Sequence, residues 1–458
     1  MGTDTIAAIA TAMTNSGIGI IRISGDDAVE TADRILELKG NGKKLSDCPT
    51  HTVHYGFVKE KGKIIDEVMV LLMRAPKSYT REDTVEIDCH GGILVMKKIL
   101  DLALKYGARP AEPGEFTKRA FLNGRIDLAQ AESVIDVINA KNDFALKASM
   151  KQLNGSLSIE IKNIRKKILH EIAFIESALD DPEHYQIESY DSELSKTTDN
   201  LLSRIDVLLK NAENGQVLKE GIRTVIVGKP NSGKSSLLNA LLGRERAIVT
   251  DIAGTTRDAI EEQIRLNGIS LNVIDTAGIR NTDDTVEKIG VDKSKEYMEE
   301  SDLVIYVVDA SLELDSNDRE IMDMIRDRNV IVLLNKSDLA PKVLEDDIRN
   351  HLDKKVLLVS AKYGNGIDEL EHAIEEMFFH GKIHMNDEVF ITNSRHKSSL
   401  EEAKKSLFLV KKSIEEGMPE DFYSIDLMHA YEELGKIVGE KVNDDLINEI
   451  FSEFCMGK

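Results

Sequence analysis

The sequence predicts a multidomain protein that combines an α+β part, an all-α part and an α/β part. Its 458 residues correspond to about two to four domains of ordinary size, so we expect more than one hydrophobic core. Two stretches have apolar residues at helical spacing, and between them strand-like apolar runs alternate with helical segments. The 41% hydrophobic and 31% charged residues are typical of folded chains and exclude a disordered or fibrous protein.

The first part, residues 1–122, mixes short strand-like runs with glycine and proline. The runs are Gly19–Ile23, Val68–Met73 and Val85–Asp88. Short runs rich in Val and Ile, separated by turn-forming residues, are typical of strands joined by tight connections. We therefore expect an α+β domain. His90 precedes two glycines, and we interpret it as part of a turn rather than as a catalytic base.

Two further stretches, residues 123–220 and 380–458, are expected to be helical. A single glycine and a single proline interrupt Arg125–Asn214, and apolar residues recur at helical spacing, as in Ile164, Ile168, Ile172 and Ile175. The same spacing returns near the C-terminus in Leu407, Val410 and Ile414. We expect the two stretches to be halves of one helical domain.

The intervening stretch, residues 221–379, is expected to be an α/β domain inserted between those halves. Apolar strand runs alternate with helical segments here, and the runs are Thr224–Val227, Leu271–Ile274, Val304–Val308, Val330–Leu334 and Val356–Val359. Such alternation predicts a mostly parallel sheet with helices on both faces.

Composition excludes several classes of protein. The longest apolar runs are far shorter than the ~18–20 residues that a bilayer span needs, so no membrane segment is expected. The N-terminus lacks a basic stretch before an apolar one, so we expect no secretory signal. Three cysteines without metal-ligand spacing indicate a reducing compartment, the cytoplasm.

The net charge of −22 argues against nonspecific nucleic-acid binding as the main activity. Basic clusters do occur locally, and we interpret them as solvated helix faces in preference to nucleic-acid patches. They are Lys162 with Arg165, Lys166 and Lys167; Arg395 with His396 and Lys397; and Lys404 with Lys405.

A phosphate-binding P-loop follows the first strand of the α/β part. Thr224–Val227 leads into Gly228–Ser235, and a helical segment, Ser236–Leu242, comes next. In this setting backbone N–H groups surround the phosphates of a nucleotide. Lys234 can reach the β and γ phosphates, and the Ser235 hydroxyl can bind Mg²⁺.

Three further motifs lie at the ends of later strands: Asp275-Thr276-Ala277-Gly278, Asn335-Lys336-Ser337-Asp338 and Ser360-Ala361-Lys362. The first places a carboxylate beside the metal and a glycine N–H near the γ-phosphate. The Asp338 carboxylate can accept two hydrogen bonds from guanine, from N1–H and the exocyclic amine, which adenine does not offer. The nucleotide is therefore predicted to be GTP rather than ATP.

Hydrolysis needs a water-positioning group and a source of positive charge. Ile279 stands where small signalling GTPases have a catalytic Gln, and its apolar side chain cannot position a water molecule. We therefore take Glu287 as the candidate for the water-positioning group. Asn231 and the segment Thr250–Asp258 offer oxygen ligands suited to K⁺, while the Thr256 hydroxyl suits Mg²⁺. Arg257 is the alternative source of charge, although a structural role for it is favoured.

Six segments together resemble the MnmE (TrmE) family of tRNA-modification GTPases. They are IGIIRISG from Ile18, RAFLNGRIDLAQAES from Arg119, GKPNSGKSSLLN, DIAGTTRD, DTAGIR and the C-terminal Cys455–Lys458. The resemblance implies an N-terminal folate-binding domain that forms a homodimer, a helical domain and an inserted Ras-like P-loop GTPase domain. It also implies that dimerisation of the GTPase domains, aided by K⁺, activates hydrolysis.

The resemblance also implies partners and chemistry. With MnmG, which carries FAD and uses NADH, the family forms a heterotetramer that modifies certain tRNAs. A carboxymethylaminomethyl or aminomethyl group is added at C5 of wobble uridine 34. The one-carbon unit comes from a tetrahydrofolate derivative, either 5-formyl- or 5,10-methylene-tetrahydrofolate.

Positions that match the family's motifs imply roles for individual residues. K⁺ would be bound by Asn231, Thr250, Ile252 and Thr255, and Mg²⁺ by Ser235 and Thr256. Glu287 and Lys234 would be catalytic, and so would Cys455 near the folate, where a prenylation site or an inert buried thiol are the alternatives. The folate would contact Arg22, Glu86, Arg125 and Lys458. The GTP site would comprise Asn231, Ser232, Gly233, Lys234, Ser235, Ser236, Thr250, Asp251, Ile252, Ala253, Gly254, Thr255, Thr256, Asp275, Thr276, Ala277, Gly278, Asn335, Lys336, Asp338, Ser360, Ala361 and Lys362.

Two other functions fit part of the sequence. A GTPase switch for ribosome maturation, like Era, shares the nucleotide motifs, but such a protein would end in a basic RNA-binding domain. A folate-dependent aminomethyltransferase acting alone would leave the nucleotide motifs unexplained.

Overall fold

The computed structural model describes residues 4–40, 42–181, 190–244, 262–266, 269–274, 301–379 and 391–458. Backbone contacts divide the chain into two units. The first comprises Met1–Ile138, Gln152–Asp199 and Glu402–Lys458, and the second comprises Asn139–Lys151 and Asn200–Glu401. The four-part division expected from the sequence stays a prediction.

The first unit contains a seven-stranded sheet. Its strands are β1 (Ile6–Ile9), β2 (Ile18–Ser24), β3 (Leu36–Leu38), β4 (Thr52–Glu60), β5 (Lys63–Met73), β6 (Thr84–His90) and β7 (Arg109–Pro110). They are ordered β3-β4-β5-β6-β2-β1-β7, with antiparallel neighbours except for the parallel pair β1 and β7. His90, expected in a turn, is the last residue of β6.

Helices α1 (Ala28–Ile35) and α2 (Ile93–Lys105) share a core with the sheet. Alternate strand residues such as Ile21, Ile23, Val85 and Ile87 are buried in that core. The residues between them, including Arg22 and Glu86, therefore lie on the other face. They are opposite each other in the register of β2 and β6, which positions the two side chains as a cross-strand pair.

The helices that follow are α3 (Glu115–Leu122), α4 (Leu128–Asn139), α5 (Asp143–Leu153), α6 (Ser156–Asp180) and α7 (Tyr190–Glu220). Near the C-terminus are α12 (Ser394–Glu415), α13 (Glu420–Val438) and α14 (Asp444–Ser452). In the first unit, the isoleucines of α6 that predicted its buried face are indeed buried, and α6 packs along α13. The helical periodicity is confirmed.

The second unit contains a six-stranded sheet ordered β13-β12-β11-β8-β10-β9. The strands are β8 (Ile222–Val227), β9 (Glu262–Leu266), β10 (Ile269–Ile274), β11 (Leu303–Asp309), β12 (Val330–Asn335) and β13 (Lys355–Leu358). All neighbouring strands are parallel except β9 and β10. The helices are α8 (Lys234–Arg244), α9 (Ser316–Ile325), α10 (Glu345–Arg349) and α11 (Ile367–Phe379).

Apolar clusters cover both faces of this sheet. One contains Ile226, Ile305 and Leu333, and the other contains Val225, Tyr306 and Leu334. Burial on both faces explains why these strands are continuous apolar runs. The predicted combination of α+β, all-α and α/β parts is confirmed. In the described part of the chain, no helix is both long enough and apolar enough to span a membrane.

Candidate functional site

The P-loop connects the carboxyl end of β8 to α8, as the sequence predicts. Gly228 and Gly233 have φ of +152° and +103°, which side chains rarely allow. A Cβ atom at Gly228 would lie 2.3 Å from the Val307 carbonyl oxygen, and one at Gly233 would lie 2.0 Å from Asn335 Nδ2. The two glycines therefore let the loop pack closely against β11 and β12.

Lys234, the first residue of α8, turns back along the loop. Its Nζ donates hydrogen bonds to the carbonyl oxygens of Gly228 and Lys229, each at 2.8 Å. Burial lowers the pKa of Lys234 from its usual value, because the charged ammonium is partly removed from water. Phosphate oxygens at this position would restore favourable electrostatics for the charged form.

Asn335 joins the P-loop to the loop after β13. Its Nδ2 donates to the Ser232 carbonyl oxygen at 2.8 Å, and its Oδ1 accepts from the Ala361 N–H at 3.0 Å. The Ser360 hydroxyl donates to Asp338 Oδ1 at 2.6 Å. The structure thus brings the P-loop, Asp338 and the Ser360–Lys362 segment together at one edge of the sheet.

Lys336 follows Asn335 at the end of β12 and has φ of +63°. Its Nζ contacts the buried Asp309 carboxylate, at the end of β11, at 2.5 Å. Burial favours the neutral form of Asp309, but hydrogen bonds from Lys336 and Ser311 hold its pKa below the usual value. Asp309 is a positioning partner that the sequence did not reveal, because no nucleotide motif contains it.

Several predicted residues lie outside the described part of the chain: Thr250, Asp251, Ile252, Ala253, Gly254, Thr255, Thr256, Asp275, Thr276, Ala277, Gly278 and Glu287. Of the described ones, Ser235 is the second residue of α8, and Ser236 is exposed. Lys362 is also exposed, with its Nζ 5.0 Å from the centroid of the Tyr363 ring. No group of three or more metal-ligating acidic, His or Cys side chains occurs among the described residues. Oxygen donors such as the Ser235 hydroxyl and the Asn231 amide suit Mg²⁺ and K⁺, respectively.

The first unit contains a second group of residues, which we call the Tyr79 cluster: the predicted Arg22, Glu86, Arg125 and Lys458, together with Tyr79 and Phe116. Arg22 Nε donates to Glu86 Oε1 at 2.7 Å, and Arg22 Nη1 donates to the Gly457 carbonyl oxygen at 2.9 Å. The guanidinium carbon of Arg22 lies 5.5 Å from the centroid of the Phe116 ring.

Tyr79 lies near two of the predicted cations. Its ring centroid is 4.7 Å from the guanidinium carbon of Arg125 and 5.9 Å from that of Arg22. Burial lowers the pKa of Lys458, and the nearby positive charge of Arg22 lowers it further. The cluster therefore combines aromatic faces, cations and one carboxylate. Tyr79 and Phe116 were missed at the sequence level, since neither lies in a motif with assigned chemistry.

The backbone of the C-terminal residues packs against residues Ile9 and Gly114 of the first unit. The Gly114 N–H donates to the Cys455 carbonyl oxygen at 3.4 Å. Gly457 has φ of +84°, and a Cβ there would lie 2.5 Å from the Ile9 carbonyl oxygen. The Cys455 residue is exposed, which contradicts the alternative of an inert buried thiol.

Comparisons with known proteins match nearly the whole chain. The family model described as GTP-binding protein TrmE N-terminus matches residues 5–125, and the one described as MnmE helical domain matches residues 128–455. A protein of Lachnoclostridium phytofermentans named tRNA modification GTPase MnmE is 58% identical over 100% of both chains. Proteins of the same name from Acetivibrio thermocellus and Clostridioides difficile are each 49% identical over 99% of both chains.

Among solved structures, the G domain of the T. maritima FeoB iron transporter is 28% identical. The matched region covers 34% of this chain and 98% of the FeoB chain, with a TM-score of 0.26. The family assignment rests instead on the relatives that match from end to end and on the two domain models. The chain belongs to the MnmE (TrmE) family of tRNA modification GTPases.

Proposed function

We propose that this chain hydrolyses GTP and uses the reaction in the modification of wobble uridine 34 of certain tRNAs. The main observation behind the nucleotide assignment is the pair of hydrogen bonds made by the Asn335 side chain. They connect the P-loop to the loops around Asp338. The P-loop and Asp338, the proposed phosphate-binding and base-reading groups, lie at one edge of the sheet, which supports the proposal. The relatives' name, tRNA modification GTPase, supports the substrate.

In the proposed reaction, Ser235 and Thr256 would hold Mg²⁺, and Glu287 would orient the attacking water. Asn231, Thr250, Ile252 and Thr255 would hold K⁺, which would supply positive charge at the phosphates. Asn231 lies at the exposed tip of the P-loop with φ of +61°, and its amide oxygen is a suitable ligand for K⁺. Ser235 lies at the start of α8, where the helix dipole favours phosphate groups.

We further propose that the chain acts as a homodimer. The sheet face opposite the core exposes apolar side chains on three strands: Ile18 on β2, Val53 and Tyr55 on β4, and Met69 on β5. Ile18 is 62% exposed and Val53 is 59% exposed. Apolar groups spread over one face of a sheet are typical of an interaction surface, and a second copy would cover them.

The Tyr79 cluster is the proposed site of a tetrahydrofolate derivative, either 5-formyl- or 5,10-methylene-tetrahydrofolate. The Glu86 carboxylate can accept hydrogen bonds from the pterin N–H groups, and Arg22, Arg125 and Lys458 suit the carboxylates of the folate. The exposed Cys455 would act beside it. The flavoprotein MnmG, with FAD and NADH, would complete a heterotetramer. We propose the cytoplasm as the place of the reaction, since its substrate is tRNA.

Complementation of a strain that lacks this protein tests the proposal. The unmodified chain should restore the carboxymethylaminomethyl or aminomethyl group on wobble uridine, measured by mass spectrometry of nucleosides from digested tRNA. Asp338→Asn should fail, because an amide cannot accept both hydrogen bonds from guanine. In vitro, the same variant should lose GTP hydrolysis and gain XTP hydrolysis, since xanthine has a carbonyl in place of the exocyclic amine. Wobble uridines that are the same with and without the protein would refute the proposal.

A further inference from the structure

Lys229, the second residue of the P-loop, makes contacts that the nucleotide motif does not require. Its Nζ lies 2.6 Å from Asp318 Oδ2 and 2.9 Å from Asp315 Oδ2. The Asp318 side chain is only 2% exposed, and its Oδ1 accepts a hydrogen bond from the buried Tyr306 hydroxyl at 3.0 Å. The Lys229 ammonium is therefore bound to a carboxylate that is itself held in the protein interior.

The first turn of α9 fixes that carboxylate. Asp315 precedes the helix, and its Oδ1 accepts from the N–H groups of Asn317 and Asp318. In return, Asp318 Oδ2 accepts from the Asp315 N–H at 3.0 Å. This reciprocal capping, together with the Tyr306 bond, leaves the Asp318 side chain little freedom. Lys229 is consequently attached to a rigid part of the domain.

The backbone of Lys229 begins a tight turn that contains Asn231. The Lys229 carbonyl oxygen accepts from the Ser232 N–H at 3.3 Å and from Lys234 Nζ at 2.8 Å. At the other end, the Ser232 carbonyl oxygen accepts from Asn335 Nδ2. The turn is thus held at both ends, and Asn231 lies between them in the left-handed conformation.

We propose that Lys229 is a positioning residue for the monovalent cation: by binding Asp318, it holds Asn231 where the amide oxygen can bind K⁺. The inference rests on the K⁺ role given to Asn231 in the proposed function. Groups that orient a metal ligand strongly affect metal affinity. The groups proposed to bind the phosphates, in contrast, are Lys234 and the N–H groups at the start of α8, which follow Ser232 and its separate attachment to Asn335.

The test uses the full-length chain and separates K⁺ dependence from nucleotide affinity. GTPase rate is measured against KCl concentration at constant ionic strength, and GDP affinity is measured with a fluorescent analogue. Lys229→Met should raise the K⁺ concentration for half-maximal rate by about tenfold. Its GDP affinity should stay within about twofold of that of the unmodified chain. Lys229→Arg should restore most of the K⁺ response, because it keeps the charge.

Arg326→Met is the matched control, since it removes one positive charge from an exposed ion pair with Asp323 on α9. It should behave like the unmodified chain. A K⁺ requirement in Lys229→Met equal to that of the unmodified chain would overturn the inference. So would a loss of GDP affinity as large as the loss of GTPase rate, because that result indicates a general distortion of the P-loop.

Two further outcomes are distinguishable. Equal rates of the unmodified chain in K⁺ and in Na⁺ would refute the proposed K⁺ role itself, whatever the variants do. If Lys229→Met does not fold, the double variant Lys229→Met with Asp318→Asn, which leaves no unpaired buried carboxylate, is measured by the same criteria. A normal K⁺ requirement in that double variant would equally overturn the positioning role.

Discussion

Truncation of Asn335 should separate the two loops that form the nucleotide site. The residue is 3% exposed, and its amide makes the two hydrogen bonds, at 2.8 Å and 3.0 Å, that connect Ser232 with Ala361. Asn335→Ala removes both bonds and leaves a buried carbonyl and a buried N–H without these partners. At about 1–1.5 kcal/mol for each bond, the loss is about 2–3 kcal/mol. If this free energy is lost from the nucleotide-bound state alone, GDP affinity should drop about 30-fold to 150-fold.

The assay is a titration of the full-length variant with a fluorescent GDP analogue, together with a thermal melt. Asn329→Ala is the matched control, because Asn329 is exposed and donates one hydrogen bond to the Asp302 carbonyl oxygen at 3.2 Å. This control should bind GDP normally. A GDP affinity for Asn335→Ala within about threefold of the unmodified value, with an unchanged melting temperature, would refute the reasoning.

Two further predictions concern the first unit. Arg119→Met should lower the free energy of unfolding by about 3–5 kcal/mol, because it removes the cation paired with the buried Glu82 carboxylate and leaves the buried Glu115 carboxylate paired with Arg109 alone. Arg34→Met, in an exposed pair with Glu30, should cost less than about 1 kcal/mol; equal losses in denaturant titrations would contradict this account. Burial and the charge of Glu86 raise the pKa of Asp88, so its ionised form is disfavoured in the folded state. Asp88→Asn should therefore raise the melting temperature at about pH 7, and the gain should shrink toward about pH 4 as Asp88 becomes protonated; a gain independent of pH would rule out this cause.

The strand predictions were most accurate where both faces of the strand are buried. In the second unit, Val304–Val308 predicted β11 to within one residue at each end, since both faces of that strand are buried and its apolar run is continuous. In the first unit, β5 begins at Lys63, five residues before the predicted Val68. The residues between include Lys63, Asp66 and Glu67, whose polarity hid the strand.

One prediction about charge was wrong in part. Lys162, Lys166 and Lys167 are exposed, as expected for a solvated helix face. Arg165 is buried instead, and its Nη2 contacts Glu440 Oε2 at 2.6 Å. Its guanidinium carbon also lies 4.0 Å from the centroid of the Tyr431 ring. Helical spacing would have placed it on the isoleucine face, beside Ile164 and Ile168.

The sequence by itself determined the features that arise from consecutive residues. The P-loop depends on a strand, two glycines at positive φ and a helix start, all within Thr224–Lys234, and local backbone geometry links these to one another. The motifs predicted to read the base could be recognised for the same reason, because each directly follows an apolar strand run.

Tertiary structure alone decided which of these pieces meet. Arg22 and Gly457 are hydrogen-bonded although 435 positions separate them, and Asn335 binds a residue 103 positions away. Lys229 likewise forms an ion pair with Asp318, which lies on α9, far along the chain. A hydrogen bond or an ion pair requires atoms within a few ångströms. Separation along the chain does not determine that distance until the sheet order and the helix packing are known.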